Sequence, residues 1–401
     1  MRVLLYDQNT KGHNPSWLYV MASACLESGC DVFVAARDSP EVNEWLDKLD
    51  GDKYHRVYIG DLRKGYNYAK DAARLTREHQ CEMLLFPFFD YMLMEMKLIL
   101  DGLLNDSIDI GGIIFRPPLK PAGIIDYFKF KLLMLVRTAP AKKKRTRLRN
   151  LLRMRRGVKC LHDYVAQGNE ARVMSLNNDK HFERIKELMP YAHVGRLNSD
   201  PSLSHSKLTK EEARKKNGLP LGKYIFLHCG LAGEEKGLSD TYYAWCQIPD
   251  HCKANAILVR AGKVECEEQA ELIRSIGILL DYYIPQQQLD DLYAACDCVI
   301  IPYRNHTGTS GVLINAAAAG KPVIAPDFSV IGKMVKEHEL GCLFEHMDVN
   351  SLSSVMEQVM SEKYIQSAAA KRFVDSNSVS EFKNELKRFF FGSSGNLVHG
   401  F

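Results

Sequence analysis

The stretch HTGTSGVLINAAAAGKPVIAPD, His306–Asp327, decides the fold of this 401-residue chain. It begins with several hydroxyl-bearing residues and a glycine, followed by an apolar run. Thr309 or Ser310 is placed to cap the first free amides of a helix. Gly320 supplies a left-handed stop, and Pro322 prevents the helix from continuing. The stretch therefore predicts a loop, one short helix, a tight turn and a short buried strand, VIAP.

The same stretch predicts an anion site. A helix start with free amides and bare glycines binds anions readily. The strand-like run CVIIPY, Cys298–Tyr303, precedes it, so the site falls at the carboxyl end of a strand, where open α/β sheets bind ligands. We therefore expect a phosphate-bearing ligand near Ser310, contacted by Thr307, Gly308, Thr309, Ser310 and Gly311.

Strand-like runs alternate with helical patterns in both halves of the chain. The runs of the first half are Arg2–Tyr6, Asp31–Ala35, Glu82–Pro87 and Gly111–Phe115. Those of the second half are Tyr224–Cys229, Ala256–Arg260, Ile278–Tyr283, Cys298–Pro302 and Pro322–Ala325. This alternation favours a parallel, doubly wound sheet in each half, so the fold class is α/β with two Rossmann-like domains.

We place the domain boundaries by composition. The first domain covers residues 1–197 and the second covers 198–375, with a polar linker and surface helix at Asn198–Gly218. The remaining segment, 376–401, contains a helix that has one apolar face, formed by Phe382, Leu386, Phe389 and Phe390. We expect this face to dock against a core.

Bulk composition narrows the class of protein. The chain is 46% hydrophobic and 25% charged with a formal net charge of +4, an ordinary globular balance. Its eleven cysteines lack C-x-x-C pairs, which predicts buried structural thiols, no metal site and a reducing compartment. The sequence begins with a strand-like run, so we expect no signal peptide, and no run reaches the roughly 18 apolar residues of a membrane span.

One segment, residues 124–159, departs from this balance. Tyr127–His162 contains 13 Lys or Arg and no acidic residue, and apolar Ile124–Val136 overlaps its start. Such a segment is attracted to an anionic membrane surface at about 1 kcal/mol per basic residue. The alternative is a solvated helix face without a partner. Nucleic acid is not expected, because no aromatic residues are interleaved among the arginines for stacking.

The order of motifs resembles GT-B-fold nucleotide-sugar glycosyltransferases of the group 1 or family 4-like set. The resemblance rests on GLAGEEKG at Gly230–Gly237, on LDDLYAACDCVIIPYRN at Leu289–Asn305, and on the opening stretch. It implies two domains facing a cleft, with a sugar nucleotide held by the second domain and an acceptor by the first. It also implies a final helix that crosses back to the first domain.

The family's motifs are matched incompletely. Lys236 stands at the lysine of an Arg-x4-Lys pair that contacts the diphosphate, but Leu231 occupies the arginine position. The two glutamates of Glu-x7-Glu are replaced by Thr307 and Asn315. Asn315 can still hydrogen-bond ribose hydroxyls, whereas Thr307 can bond a phosphate or sugar hydroxyl but carries no charge.

The remaining site residues are predicted from the chemistry of their side chains and from their position at the ends of predicted strands. Lys236 supplies a cation to the leaving diphosphate, or is a surface lysine after a turn. His13, after Gly12 in the loop behind the first strand, is a general base for the acceptor, a ligand contact or a helix cap. Tyr283 stacks on the nucleobase or packs in the core. Arg260 replaces the positive charge missing at Leu231 or is a solvated strand end. Weaker candidates are also Arg304, His306, Asp90 and Arg116, while His228 is predicted to be a core histidine.

These features together predict a glycosyltransferase that moves a sugar from a UDP- or GDP-sugar to a glycan or lipid-linked acceptor. We expect no cofactor and no metal, and a cytoplasmic protein peripheral at the inner face of a membrane that builds a polysaccharide or glycolipid. Two alternatives remain. A sugar-nucleotide epimerase shares the two-domain fold but needs no membrane segment. A non-catalytic binding or partner subunit would explain the missing glutamates.

Overall fold

The computed structural model describes residues 1–10, 14–60, 67–103, 106–115, 139–176, 179–197, 200–203, 206–230, 233–362 and 364–392. The chain divides into two compact units. The first is Met1–Asn198 with Lys383–Phe401, and the second is Ser199–Phe382. The predicted linker Asn198–Gly218 therefore opens the second unit, and the second division falls inside the last helix.

The first unit contains a parallel sheet of seven strands among its described residues, in the order β3-β2-β1-β4-β5-β6-β7. The strands are β1 (Arg2–Asp7), β2 (Asp31–Arg37), β3 (Tyr54–Ile59), β4 (Met83–Phe86), β5 (Asp109–Ile114), β6 (Ala171–Leu176) and β7 (His193–Leu197). The helices are α1 (Asn14–Glu27), α2 (Pro40–Leu46), α3 (Tyr68–Glu78), α4 (Phe89–Leu93), α5 (Met96–Gly102), α6 (Ala139–Val165) and α7 (Asp179–Leu188).

The second unit contains a parallel sheet of six strands in its described part, in the order β10-β9-β8-β11-β12-β13. The strands are β8 (Tyr224–Cys229), β9 (Ala256–Ala261), β10 (Gly277–Leu280), β11 (Cys298–Ile300), β12 (Val323–Pro326) and β13 (Gly341–Phe344). The helices are α8 (Lys210–Lys216), α9 (Leu238–Gln247), α10 (Asp250–Lys253), α11 (Glu267–Ile276), α12 (Gln286–Ala295), α13 (Gly311–Ala318), α14 (Ser329–Glu337), α15 (Val349–Ser361) and α16 (Ala368–Ser376); α17 (Val379–Phe391) ends the described chain.

These arrangements confirm the predicted α/β class with two doubly wound sheets. Each sheet is buried on both faces, as parallel sheets require, and β4 and β12 are buried at every position. Polar residues fix where helices begin. Ser39 caps α2 directly before Pro40, Asn67 caps α3, and Thr209 forms a reciprocal capping box with Glu212 at the start of α8.

The last helix, α17, packs by the predicted apolar face. Phe382, Leu386, Phe389 and Phe390 are all buried. In the first unit, the Phe389 ring occupies the space that a Cβ on Gly195 would need, at 2.5 Å, and Phe390 does the same at Gly111, at 2.9 Å. Arg172 donates to the Phe389 carbonyl at 3.2 Å. The return of the chain to the first unit is therefore held by specific packing.

The basic helix α6 also packs on the first unit. A Cβ on Gly157 would lie 1.7 Å from the Leu93 carbonyl oxygen, so the backbones of α6 and α4 are in direct contact. Leu161 and Tyr164 are buried on the same side. The upstream part of the predicted membrane segment, residues 124–138, lies outside the described residues.

The prediction of buried thiols is correct for six cysteines and wrong for two. Cys25, Cys30, Cys81, Cys229, Cys296 and Cys298 are buried, whereas Cys246 and Cys266 are exposed. Cys246 lies off the face of α9 that buries Leu238, Ala244 and Trp245, so it meets solvent. In the part of the chain that the structure describes, no helix is long and apolar enough to cross a membrane.

Candidate functional site

The carboxyl edge of the second sheet contains a topological switch point. β8 lies between β9 and β11, so the chain leaves β8 toward one side of the sheet and later returns to the other. Loops after the two central strands diverge at such a point and leave a crevice for a ligand. The loops here are residues 230–237 after β8 and 301–310 after β11; Leu231 lies outside the described residues.

Lys236 lies at the end of a single 3-10 turn, Glu234–Lys236, in the first of these loops. The next residue, Gly237, has φ +67°, and a Cβ there would lie 1.9 Å from the Pro302 carbonyl oxygen. Only glycine permits this close approach, which presses the turn against the end of β11. As a result the Lys236 Nζ lies 3.8 Å from the centre of the Tyr303 ring, a cation–π contact.

The second loop ends in the predicted helix cap. Ser310 is buried and its Oγ accepts from the Leu313 amide at 3.4 Å at the start of α13. The Tyr303 side chain lies near the Ser310 hydroxyl, and burial raises the pKa of the tyrosine. Thr309 donates to the Asp200 carboxylate at 3.2 Å. Lys236, Tyr303 and Ser310 therefore form one connected group across the two loops.

Thr307 and Gly308 occupy the outer part of the second loop. Thr307 is exposed and Gly308 is half-buried. An imidazole nitrogen of His306 lies 3.0 Å from the Thr309 carbonyl oxygen and closes the loop, so His306 shapes the backbone around the glycine. Gly311, half-buried, is the first residue of α13. The five residues predicted to hold phosphate thus lie together at the N-terminus of one helix.

Buried positive charge lies beneath the first loop. Arg260, at 1% exposure, donates to the carbonyl of His228 at 3.1 Å and to that of Gly230 at 2.6 Å. The interpretation of Arg260 as a solvated strand end is wrong, because the residue precedes the last position of β9 and points under the loop. Burial lowers its pKa from the usual arginine range. Its guanidinium orders the ends of β8 and β9 and adds positive charge there.

His228 is a core histidine, as predicted. It is buried, and burial together with the nearby charges of Arg260 and Lys236 holds its pKa well below the ordinary value. One ring nitrogen lies 3.4 Å from the Thr241 hydroxyl. A neutral imidazole therefore lies near two cations, Arg260 and Lys236.

Arg304 is held in place by a carboxylate on α9. Its guanidinium forms a two-pronged ion pair with buried Asp240 on α9, with one contact of 2.7 Å. Its amide donates to the Glu235 carbonyl at 2.9 Å. Arg304 thus ties the second loop to the turn that carries Lys236.

The positions that replace the family's two glutamates differ in exposure. Asn315 is buried, and its Oδ1 accepts from the Leu203 amide at 2.9 Å. Thr307 is open to solvent. Tyr283, the predicted nucleobase contact, is 48% exposed, so the alternative that it packs in the core is wrong. The side-chain oxygen of Asn315 thus already has a partner in the fold.

In the first unit, Gly12, His13 and Arg116 lie outside the described residues. Asp90 accepts from the Phe115 amide at 2.8 Å and joins α4 to the end of β5. The residue that sequence reasoning missed is Asp7, the last residue of β1. It is buried, and this burial raises its pKa to about 6, while Asn14 donates to its Oδ2 at 3.1 Å. The sequence did contain a signal for this residue, namely an aspartate at the end of the predicted first strand, RVLLYD.

Comparison with known proteins finds a family match in the second unit. Residues 209–377 match the family model of glycosyl transferases group 1. A curated relative is TuaC of Bacillus subtilis (strain 168), named as a glycosyltransferase of teichuronic acid biosynthesis, at 28% identity over 131 residues. That match covers 33% of this chain and 32% of the relative, so the chain spans about a third of the length of the curated relative it matches.

Solved structures extend the likeness to the whole chain. WaaG, a glycosyltransferase involved in lipopolysaccharide biosynthesis, has 15% identity and a TM-score of 0.65, covering 98% of this chain and 100% of its own. HepE of Anabaena, in complex with UDP-glucose, has 12% identity and a TM-score of 0.63, covering 97% of this chain and 98% of its own. The chain therefore has the GT-B fold, and residues 209–377, within its second unit, match the family model of glycosyl transferases group 1.

Proposed function

We propose that this protein transfers a sugar from a UDP- or GDP-sugar to a glycan or lipid-linked acceptor. The observation that carries the proposal is the connected group Lys236–Tyr303–Ser310 at the switch point of the second sheet. It joins a cation to a capped helix start with free amides, and residues 209–377 match the group 1 family. The donor's diphosphate is the ligand that suits this pair.

The chemistry follows from where charge develops. As the bond between sugar and diphosphate breaks, the leaving nucleoside diphosphate gains negative charge. Fixed amides at the start of α13 and a cation at Lys236 stabilise that charge without reorganising. Arg260 adds positive charge beneath them. Gly12 and His13 are the proposed acceptor-side residues, with His13 as the general base that takes the acceptor's hydroxyl proton.

A second candidate is a non-catalytic protein that binds a sugar nucleotide. It is favoured by Asn315, whose Oδ1 is taken by the Leu203 amide at a position where the family has a carboxylate. An epimerase, the other alternative, has no observation of its own in its favour. Binding alone therefore does not establish transfer, and the experiment must measure both.

Calorimetric titration with UDP- and GDP-sugars, together with a measurement of product release over time, distinguishes a glycosyltransferase from a non-catalytic binding protein. We expect one nucleotide class to bind, and Lys236→Ala to weaken binding at least tenfold, since a hydrogen bond to a charged group contributes about 1.5–3 kcal/mol. Lys333→Ala, at an exposed lysine of α14, is the matched control. Binding with slow sugar release supports the transferase, and binding without turnover the non-catalytic reading. No binding of either nucleotide class overturns both.

We further propose that the protein acts at the cytoplasmic face of a membrane. The described part of α6 buries Leu161 and Tyr164 against the first unit, while Arg155, Arg156 and Lys159 are exposed. Basic side chains displayed from a fixed helix attract anionic lipid. The names of TuaC and WaaG, which refer to cell-surface polymers, support a polysaccharide or glycolipid product.

Flotation with vesicles tests the membrane proposal. We expect the protein to float with anionic vesicles at low salt and to remain at the bottom with neutral ones. Arg155→Glu with Arg156→Glu should abolish flotation, whereas the control pair Lys215→Glu with Lys333→Glu, which changes net charge equally, should retain it. Failure of the unmodified protein to float at low salt contradicts the proposal.

A further inference from the structure

A second polar cluster lies in the second unit, at the edge of the sheet opposite the proposed donor site. Its residues come from α10, which precedes β9, and from α15. A groove of about 610 Å³ runs between these helices beside Tyr224, the first residue of β8, and is lined by His251, Cys252 and Glu357. Because strands are parallel, the start of β8 and the loop after it lie at opposite edges.

Three metal-ligating side chains meet in this groove. An imidazole nitrogen of His251, the Sγ of Cys252 and a carboxylate oxygen of Glu357 all lie within 4.8 Å of one another. The His251 Nε2 and the Cys252 Sγ are 3.2 Å apart. His251 and Glu357 are exposed and Cys252 is half-buried, so all three are accessible to an ion from solvent.

We propose that His251, Cys252 and Glu357 bind one Zn²⁺ ion, with water as its fourth ligand. A thiolate with an imidazole favours zinc over Mg²⁺ or Ca²⁺, and a set of three protein ligands with an open position is a common zinc arrangement. Zn–N and Zn–S bonds of about 2.0–2.3 Å require the ligand atoms to close to about 3.5 Å. The His251 and Cys252 ligand atoms, 3.2 Å apart, already lie within this distance. The Glu357 carboxylate reaches it by rotation of its exposed side chain.

Binding has a defined proton balance and a defined structural effect. The thiol of Cys252 loses its proton to solvent when the S–Zn bond forms. The ion would join α10 to α15, which are otherwise distant in the sequence. The ion would therefore stabilise the second unit. Zinc binding here is independent of the proposed sugar transfer, because the donor site lies at the opposite end of the parallel strands.

The experiment uses the full chain, freed of metal with a chelator and then titrated with ZnCl₂ by calorimetry. We expect one equivalent to bind and the unfolding temperature to rise. Cys252→Ser, His251→Ala and Glu357→Gln should each weaken binding at least tenfold, since losing one of three protein ligands removes much of the site. Cys246→Ser, at an exposed thiol on neighbouring α9, is the matched control and should bind as the unmodified chain does.

Titration with CoCl₂ adds a readout that does not depend on stability. Cobalt bound through Cys252 should show a thiolate charge-transfer band that is absent in Cys252→Ser. MgCl₂ and CaCl₂ should produce neither heat nor a change in unfolding temperature. Zinc affinity that is unchanged in Cys252→Ser, a cobalt spectrum without the band, or no zinc binding by the unmodified chain would overturn the proposal.

Discussion

At the scale of single residues, the glycine before α9 decides where Lys236 lies. Gly237 and Gly218 have nearly the same backbone angle, φ +67° and +64°, but differ in surroundings. A Cβ on Gly237 would strike the Pro302 carbonyl oxygen at 1.9 Å, whereas a Cβ on Gly218 has nothing within 4 Å. The pair separates the effect of the backbone angle from the effect of crowding.

We expect Gly218→Ala to lower the free energy of unfolding by about 1–2 kcal/mol, the cost of a left-handed alanine. Gly237→Ala should cost more than this, because the loop must also move away from β11. It should in addition weaken nucleotide binding by displacing Lys236. Urea denaturation and calorimetric titration of both variants measure the two effects. Equal losses of stability would show that Gly237 is not crowded.

The buried His228 makes a prediction about pH. Its pKa is held well below the ordinary value in the folded chain, while the unfolded chain takes up the proton near pH 6.5. Stability is therefore fully present above that pH and is lost as the pH falls below it, by up to about 1.4 kcal/mol per pH unit. In urea titrations from pH 7 to 5, His228→Gln should flatten this slope. His193→Gln, at an exposed position, is the matched control.

Sequence reasoning located some residues and missed others for identifiable reasons. The Ser310 cap and the core position of His228 were predictable, because a cap and a buried strand are local patterns. The partners of Asn315 and Arg304 were not, because Leu203 and Asp240 reach them from distant parts of the chain. Arg260 was a candidate, but the burial of its guanidinium was not predicted, because a residue's own position in a strand does not reveal what covers it.

At the scale of helices and strands, most central strands were predicted from the sequence, whereas three of the four edge strands were not. The missed strands β3, β7 and β13 lie at sheet edges, and most of their residues are half-buried or exposed. Their sequences, YHRVYI, HVGRL and GCLF, consequently lack a continuous apolar run. The missed β6 is interior but carries Arg172, which reaches the backbone of α17. Tertiary contacts thus stabilise strands that local patterns do not indicate.

The last helix provides the prediction at this scale. Phe390 is buried against Gly111, while the adjacent Phe391 is half-buried. Phe390→Ala should lower the free energy of unfolding of the first unit by about 3–5 kcal/mol, as expected for a buried phenylalanine. Phe391→Ala should cost clearly less. Chemical denaturation followed by fluorescence of Trp17, in the first unit, compares the two, and a similar loss in both would contradict the assigned packing.

At the scale of the whole molecule, the two units have separate cores, and their tryptophans report on them separately. Trp17 and Trp45 belong to the first unit and Trp245 to the second. A Trp17→Phe, Trp45→Phe variant therefore leaves one fluorophore that follows the second unit alone. Because the proposed donor site is built within that unit, a ligand should stabilise the transition that Trp245 reports.

The nucleotide identified by calorimetry, added at 100 times its Kd, should stabilise the state that binds it by about 2.7 kcal/mol. We expect the thermal transition seen through Trp245 to rise accordingly, while the complementary Trp245→Phe variant, which reports the first unit, shows a smaller rise. Lys236→Ala in the same background should remove most of the shift at equal ligand concentration. A larger rise in the signal from Trp17 and Trp45 would place the nucleotide in the first unit and contradict the assignment of the donor site to the carboxyl edge of the second sheet.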